Sequence, residues 1–161
     1  MNVRTVFLAI GAAAMTLAAG CEQTESVDVT ASTTPPAGAR YMEAEVTPEA
    51  LASWVCSHKG HDARREAAAE WANIWIPEPG WVGTVERVEE RDSSVNVWLS
   101  YPANPMIGGN FWVAVEFPGI HDLRPAQTAT FTGRVEKVEY LTPTGVPELR
   151  IVVRNATLKK G

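Results

Sequence analysis

Apolar positions recur along this chain with two different periods, and the change falls near residue 80. Before it, from Thr47 to Ile76, they return every three or four residues, which is helical spacing. In "TPEALASWVCSH", Thr47 can cap a helix and Pro48 suits its first turn. Leu51, Trp54, Val55 and His58 would share one face, and Gly60 would end it. A second helix is predicted from about Asp62, its cap, to Ile76, with Ala67, Trp71, Ile74 and Trp75 as the apolar stripe. "PEPG" at 77–80 then stops it. From Gly80 onward the period is two. The first strand is Trp81–Glu90. Val95, Val97, Leu99 and Tyr101 alternate in the second, and Phe111, Val113, Val115 and Phe117 in the third. Loop 102–110 joins those two, and residues 118–127 are too broken for a helix. The fourth strand is Thr128–Tyr140. After a turn at 142–147, Leu149, Ile151 and Val153 alternate in the fifth.

Two of these strands carry nearly the same words, "GTVERVEE" at 83–90 and "GRVEKVEY" at 133–140. In each, the valines lie three apart: Val85 and Val88, then Val135 and Val138. Strict alternation would send the members of each pair to opposite faces. A bulge between them lets both point inward, and the preceding glycine tolerates a tight bend. Two sharply curved strands in a set of five predict a closed barrel.

Here "GWVGTVERVEE", "ATFTGRVEKVEY" and "LRIVVRNATLKK" resemble the first, fourth and fifth strands of the OB-fold, in particular of the bacterial tRNA-anti-like family. The resemblance covers residues 80–160. It implies a mainly β fold: a five-stranded OB-like β-barrel preceded by two short α-helices. It also implies that the first and fourth strands are antiparallel neighbours. The two copies would then face each other, with Glu opposite Arg or Lys. A helix between the third and fourth strands is missing from the pattern, so the two earlier helices would close the barrel's open end instead.

The first twenty residues change the picture of where this barrel works. Arg4 gives a positive start, and Val6 to Ala19 is apolar apart from Thr16. That run is too short for a bilayer span but suits a secretory signal core. It ends in "LAAGC", which resembles the lipobox of bacterial lipoproteins, with Ala18 where Leu is commoner. The resemblance implies that Cys21 is acylated, palmitate among its chains, and becomes the mature N-terminus. Each buried CH₂ contributes about 0.8 kcal/mol, so two or more chains anchor stably. Glu22, rather than Asp, after the cysteine implies the outer membrane, facing the periplasm. Residues 21–45 are rich in Glu, Ser, Thr, Ala and Pro and read as a flexible tether. Such a chain spans roughly 25–30 Å. The expected organisation is therefore signal 1–20, tether 21–45, helical segment 46–78 and barrel 79–161.

The net charge is −5, yet residues 79–161 hold nine basic and nine acidic side chains, so the barrel is neutral. Nucleic-acid binders concentrate basic charge. That balance and the envelope address argue against a nucleic-acid partner. Arg150 and Arg154 on the outward face of the fifth strand read as a solvated edge.

Candidate chemistry is sparse. "CSHKGHD" offers Cys56, His58 and His61, a possible metal cluster in an envelope enzyme, but its spacing fits no common zinc pattern. The plainer reading buries Cys56 and uses Asp62 as a cap. No nucleophile elbow, phosphate loop or dinucleotide fingerprint occurs, and no cofactor or catalytic residue is assigned. Trp98 and Trp112 fall opposite the apolar alternation of their strands. Either they emerge together as a ligand-binding surface with loop 102–110, or the helices cover them as a second core. The expectation is a non-catalytic, lipid-anchored binding or accessory module for an envelope protein or a small molecule, its ligand unnamed.

Overall fold

The computed structural model describes residues 33–101, 108–119, 121–142 and 145–159. The signal, Cys21 and the first part of the tether, up to residue 32, lie outside the described residues. Two helices come first, α1 (Pro48–Ser57) and α2 (His61–Ala69). Five strands follow: β1 (Ile74–Glu90), β2 (Ser94–Ser100), β3 (Asn110–Pro118), β4 (Thr128–Leu141) and β5 (Glu148–Lys159). They close in the order β1-β2-β3-β5-β4, the OB-like barrel expected. All pairs are antiparallel except β3 with β5.

The repeated stretch does in both places what its valine spacing requires. Against β2, Val85 pairs with Leu99 and Arg87 with Trp98, so Glu86 is an extra residue. Against β5, Val135 pairs with Val153 and Lys137 with Val152, so Glu136 is extra at the same point of the repeat. Each bulge resets the alternation. Val85, Val135 and Val138 are buried, and Val88 packs against the same core. The glycine opening each copy is needed for a second reason. A Cβ on Gly133 would lie 2.8 Å from Val153 Cγ1 and 3.1 Å from Ala156 Cα. One on Gly83 would lie 2.7 Å from the Tyr101 hydroxyl and 3.1 Å from Leu99 Cβ. At Gly133 the backbone of β5 comes close, whereas at Gly83 the space is taken by the Tyr101 ring and Leu99.

The two copies do not face each other, contrary to the expectation. Gly133, Arg134 and Val135 pair with Ile76, Trp75 and Ile74, while Gly83 and Thr84 pair with Ala129 and Thr128. β1 extends seven residues further toward the N-terminus than expected, and the second copy pairs with that extension. Correspondingly, the second helix is shorter. It ends at Ala69, and Asn73, at φ 61°, turns the chain into β1. Ile74, Trp75 and Ile76 are all buried because β1 is covered on both faces here. Ile74 and Ile76 join the core, while Arg40–Met42 lie along Trp75. A strand buried on both faces shows a continuous apolar run that periodicity cannot separate from a helix. "PEPG" interrupts the β1–β4 pairing without ending the strand, and Glu78–Pro79 is cis.

The tether also ends sooner than its composition suggests. The Met42 amide donates to the Trp75 carbonyl (3.1 Å), and the Trp75 amide donates to the Arg40 carbonyl (2.8 Å). Met42 is buried in the core.

The helices join the barrel's core instead of building a second one. In α1, Thr47 caps as expected, its hydroxyl accepting from the Ala50 amide at 3.1 Å. Leu51, Val55 and Cys56 of α1 and Ala68 of α2 belong to one cluster with Val85, Leu99, Phe131 and Ile151. The buried face of α1 is Leu51, Ala52, Val55 and Cys56, so Trp54 stands exposed. Gly60, not Asp62, occupies the N-cap of α2. Arg64 fastens both helices to β4. Its Nε donates to the His58 carbonyl (3.0 Å) and its Nη1 to the Tyr140 hydroxyl (2.7 Å). Trp81 Nε1 donates to the Val46 carbonyl (2.7 Å), tying the entry to α1 onto β1. Inside, Trp81, Phe131 and Phe117 meet edge to face in sequence, 6.4 and 6.1 Å apart. The stretch from β3 to β4 holds no helix among its described residues, as expected. His121 closes it with Nε2 donating to the Pro118 carbonyl at 2.9 Å and its ring against Phe117.

Two outcomes test the role of the repeat glycines. Gly133→Ala should lower stability by about 1–3 kcal/mol, read as a lower urea midpoint at unchanged slope, because backbone as well as side chain blocks the new methyl. Gly83→Ala should cost less in a Tyr101→Phe background, since the nearest obstruction there is a hydroxyl.

Candidate functional site

Trp98 and Trp112 come together as the alternation of their strands implies. Val97, Leu99, Val113, Ile151 and Val153 point into the core and are fully buried. Their neighbours Trp98, Trp112, Arg150 and Val152 therefore point out. Register aligns them in two rows. Arg87, Trp98, Ala114 and Val152 run across β1, β2, β3 and β5; Ser100, Trp112, Arg150 and Glu139 run across β2, β3, β5 and β4. Trp98 faces Ala114 rather than Trp112, so the two indoles are diagonal neighbours and the small alanine leaves space beside them.

The resulting cleft has a volume of about 270 Å³ and is lined by Glu86, Arg87, Trp98, Trp112, Glu148 and Arg150. Two guanidiniums lie over the Trp98 ring, Arg87 at 4.7 Å and Arg150 at 5.7 Å from its centroid. Each such contact contributes about 0.5–2 kcal/mol, more as it is desolvated. Carboxylates hold these cations in place. Arg87 meets Glu89 at 3.1 Å, and Arg150 meets Glu148 at 2.8 Å and Glu139 at 3.9 Å. The helices contribute nothing to the lining, so both indoles remain half-buried outside the barrel. Trp98 Nε1 and Arg150 Nε are shut from solvent with no hydrogen-bond partner among the described residues. Sequence reasoning missed the charged lining, Glu86, Arg87, Glu148 and Arg150; of these only the bulge residue Glu86 had a signal. Its signal was the broken valine period, which places an additional glutamate on the outer face.

Arg150 and Arg154 do not form a solvated edge. β5 pairs with β3 on one side and β4 on the other, so it has no free edge. Arg154 contacts Glu136, the second bulge residue, at 2.7 Å and Glu116 at 3.6 Å.

Cys56, His58 and His61 go separate ways. Cys56 is buried on the inner face of α1. His58 Nδ1 donates to the Trp54 carbonyl at 3.0 Å, its ring edge-on to that indole. His61 lies against the Tyr140 ring, 5.5 Å between centroids, with Nδ1 3.7 Å from Asp62. Among the described residues, no three His, Cys, Asp or Glu side chains cluster closely enough to hold a metal.

Burial pushes the Cys56 thiol up from its ordinary range, partly opposed by the Arg64 charge. Burial also pushes the Tyr101 phenol strongly up, and the Glu49 carboxylate adds to the shift. The folded chain therefore keeps both protons at pH values where the unfolded chain has lost them. Stability should fall as pH rises above about 9, first through thiol and then through phenol ionisation of the unfolded state. Urea midpoints from pH 7 to 11 should show the early decline reduced in Cys56→Ala and the later one reduced in Tyr101→Phe. The chain matches no protein-family model, no curated protein and no solved structure.

Proposed function

We propose that this protein is a non-catalytic binding module of the bacterial envelope, anchored by lipid on Cys21, and that it captures its ligand in the Trp98–Trp112 cleft. One observation carries the reading of the site. An indole held under two guanidiniums, with a second indole beside it and a small residue opposite, is a preformed platform for a ring or a flat side chain. Its lining balances two carboxylates against two guanidiniums. Such a cleft favours a ligand that is neutral or carries both charges, and it supplies donors and acceptors on either side of the aromatic faces. A small molecule, or one side chain of an envelope protein, matches its volume. Extended polyanions match it poorly, because Arg87, Arg150 and Arg154 are already held by glutamates. The anchor rests on "LAAGC" and the apolar run before it.

Photo-crosslinking from the cleft in the native envelope tests the surface. Trp112→Ala should reduce specific capture by roughly a factor of ten or more while the circular dichroism stays that of the wild type. Undiminished capture would remove the cleft from the proposal. For the anchor, Cys21→Ser should move the protein from the membrane to the soluble fraction. Its retention on membranes would show that something else holds it there.

A further inference from the structure

A second cavity, of about 760 Å³, opens where the N-terminal segment crosses the barrel, and its chemistry differs from that of the cleft. Arg40, Asn73, Trp75, Arg134 and Asn155 line it together with Thr34, Pro35, Pro36, Gly38 and Ala39, and among the described residues no carboxylate does. Elsewhere on this barrel the pattern is opposite: Arg87, Arg150, Arg154, Lys137 and Lys159 each contact a glutamate. Arg134 stands across from Arg154 in the β4–β5 register, so two like charges sit side by side. Glu136 and Glu116 balance Arg154. Arg134 donates from Nη1 to Asn73 Oδ1 at 3.3 Å, and its Nε is buried without a partner among the described residues. A half-buried guanidinium satisfied by one neutral amide is an incomplete arrangement.

The two asparagines share a further property. Asn73 and Asn155 have φ of 61° and 52°, the left-handed region that asparagine tolerates better than most residues. Asn73 starts β1, and Asn155 sits where the β4–β5 register shifts between Thr132 and Arg134. With Asn73 Oδ1 turned to Arg134, its Nδ2 hydrogens remain as donors. The cavity thus gathers two cations and amide donors from three separate segments: the N-terminal strap, the start of β1 and the β4–β5 ladder.

We propose that this cavity is an oxyanion site that takes a phosphate group, with Arg40 and Arg134 as its charged ligands and Asn73 and Asn155 as neutral donors. Donors arriving from several directions suit a tetrahedral anion better than a planar carboxylate, which one guanidinium fork would satisfy. The bound phosphate bridges Arg40 on the strap to Arg134 on the barrel, so binding fastens the strap. The group comes free or as part of a phospholipid headgroup. This site is independent of the aromatic cleft.

Thermal unfolding of the full chain in nonionic detergent tests it, with inorganic phosphate titrated at constant ionic strength against chloride. In parallel, phosphatidylglycerol bicelles are compared with bicelles of digalactosyldiacylglycerol, whose headgroup carries no phosphate. A saturable rise in midpoint is expected with phosphate, phosphatidylglycerol or both, and the responding arm names the source. Arg40→Gln and Arg134→Gln should each raise the half-saturating concentration about tenfold. Arg65→Gln, an equal charge change on α2, should leave it unaltered. Arg40 is exposed, so its variant keeps the test valid should Arg134→Gln fail to fold. No rise in either arm beyond chloride and digalactosyldiacylglycerol would overturn the proposal. So would a rise that survives Arg40→Gln or is lost equally in Arg65→Gln.

Discussion

Five short strands can shut into a cylinder only if some of them turn hard, and in this protein the register breaks beside two closely packed glycines. Gly133 lies against β5 and Gly83 against the Tyr101 ring and Leu99, each with little room for a methyl group. Three residues further on, the additional Glu86 and Glu136 re-phase the chain so that the next valine returns to the core. Close packing and re-phasing work as a pair. A bulge without the close packing would swing the strand away from its neighbour, and close packing without the bulge would turn Val88 and Val138 outward. Closure in turn lets β5 pair with both β3 and β4, which sets Arg150 beside Trp112 and Arg154 between two glutamates. The outer surface is thus laid out by the same bends that seal the interior.

How much of this was legible depends on whether a residue's role was local. The barrel, its five strands and both bulges follow from period-two alternation and its interruption at Val85–Val88 and Val135–Val138, because the pleat converts spacing directly into facing. Trp98 and Trp112 were legible for the same reason. Ile74–Ile76 were misread as helix because they are buried on two sides, and the strap that covers the second side comes from residues whose composition resembles a solvated linker. The facing of the two repeats was misjudged because register depends on where β1 begins, and that beginning was hidden in the same apolar run. Charge partners were the least legible. Arg150 and Arg154 look like a basic edge in one dimension, but Glu116, Glu136 and Glu139 reach them from other strands.

Electrostatics divides the outside of the barrel into two kinds of surface. Over the aromatic cleft and along β5, every cation is met by a carboxylate, and specificity there rests on shape and aromatic faces. Around Arg134 no such compensation occurs among the described residues, although the chain as a whole is acidic. Desolvating an unmatched guanidinium is costly, so the contrast between these two regions within one sheet is a difference in kind.

The attachment of Arg40–Met42 to Trp75 has a mechanical meaning. A pull applied at Arg40 loads these two backbone hydrogen bonds to β1 before it loads α1. Peeling Arg40–Met42 away would break these two bonds and uncover Trp75, while the strand order that closes the cylinder stays unbroken.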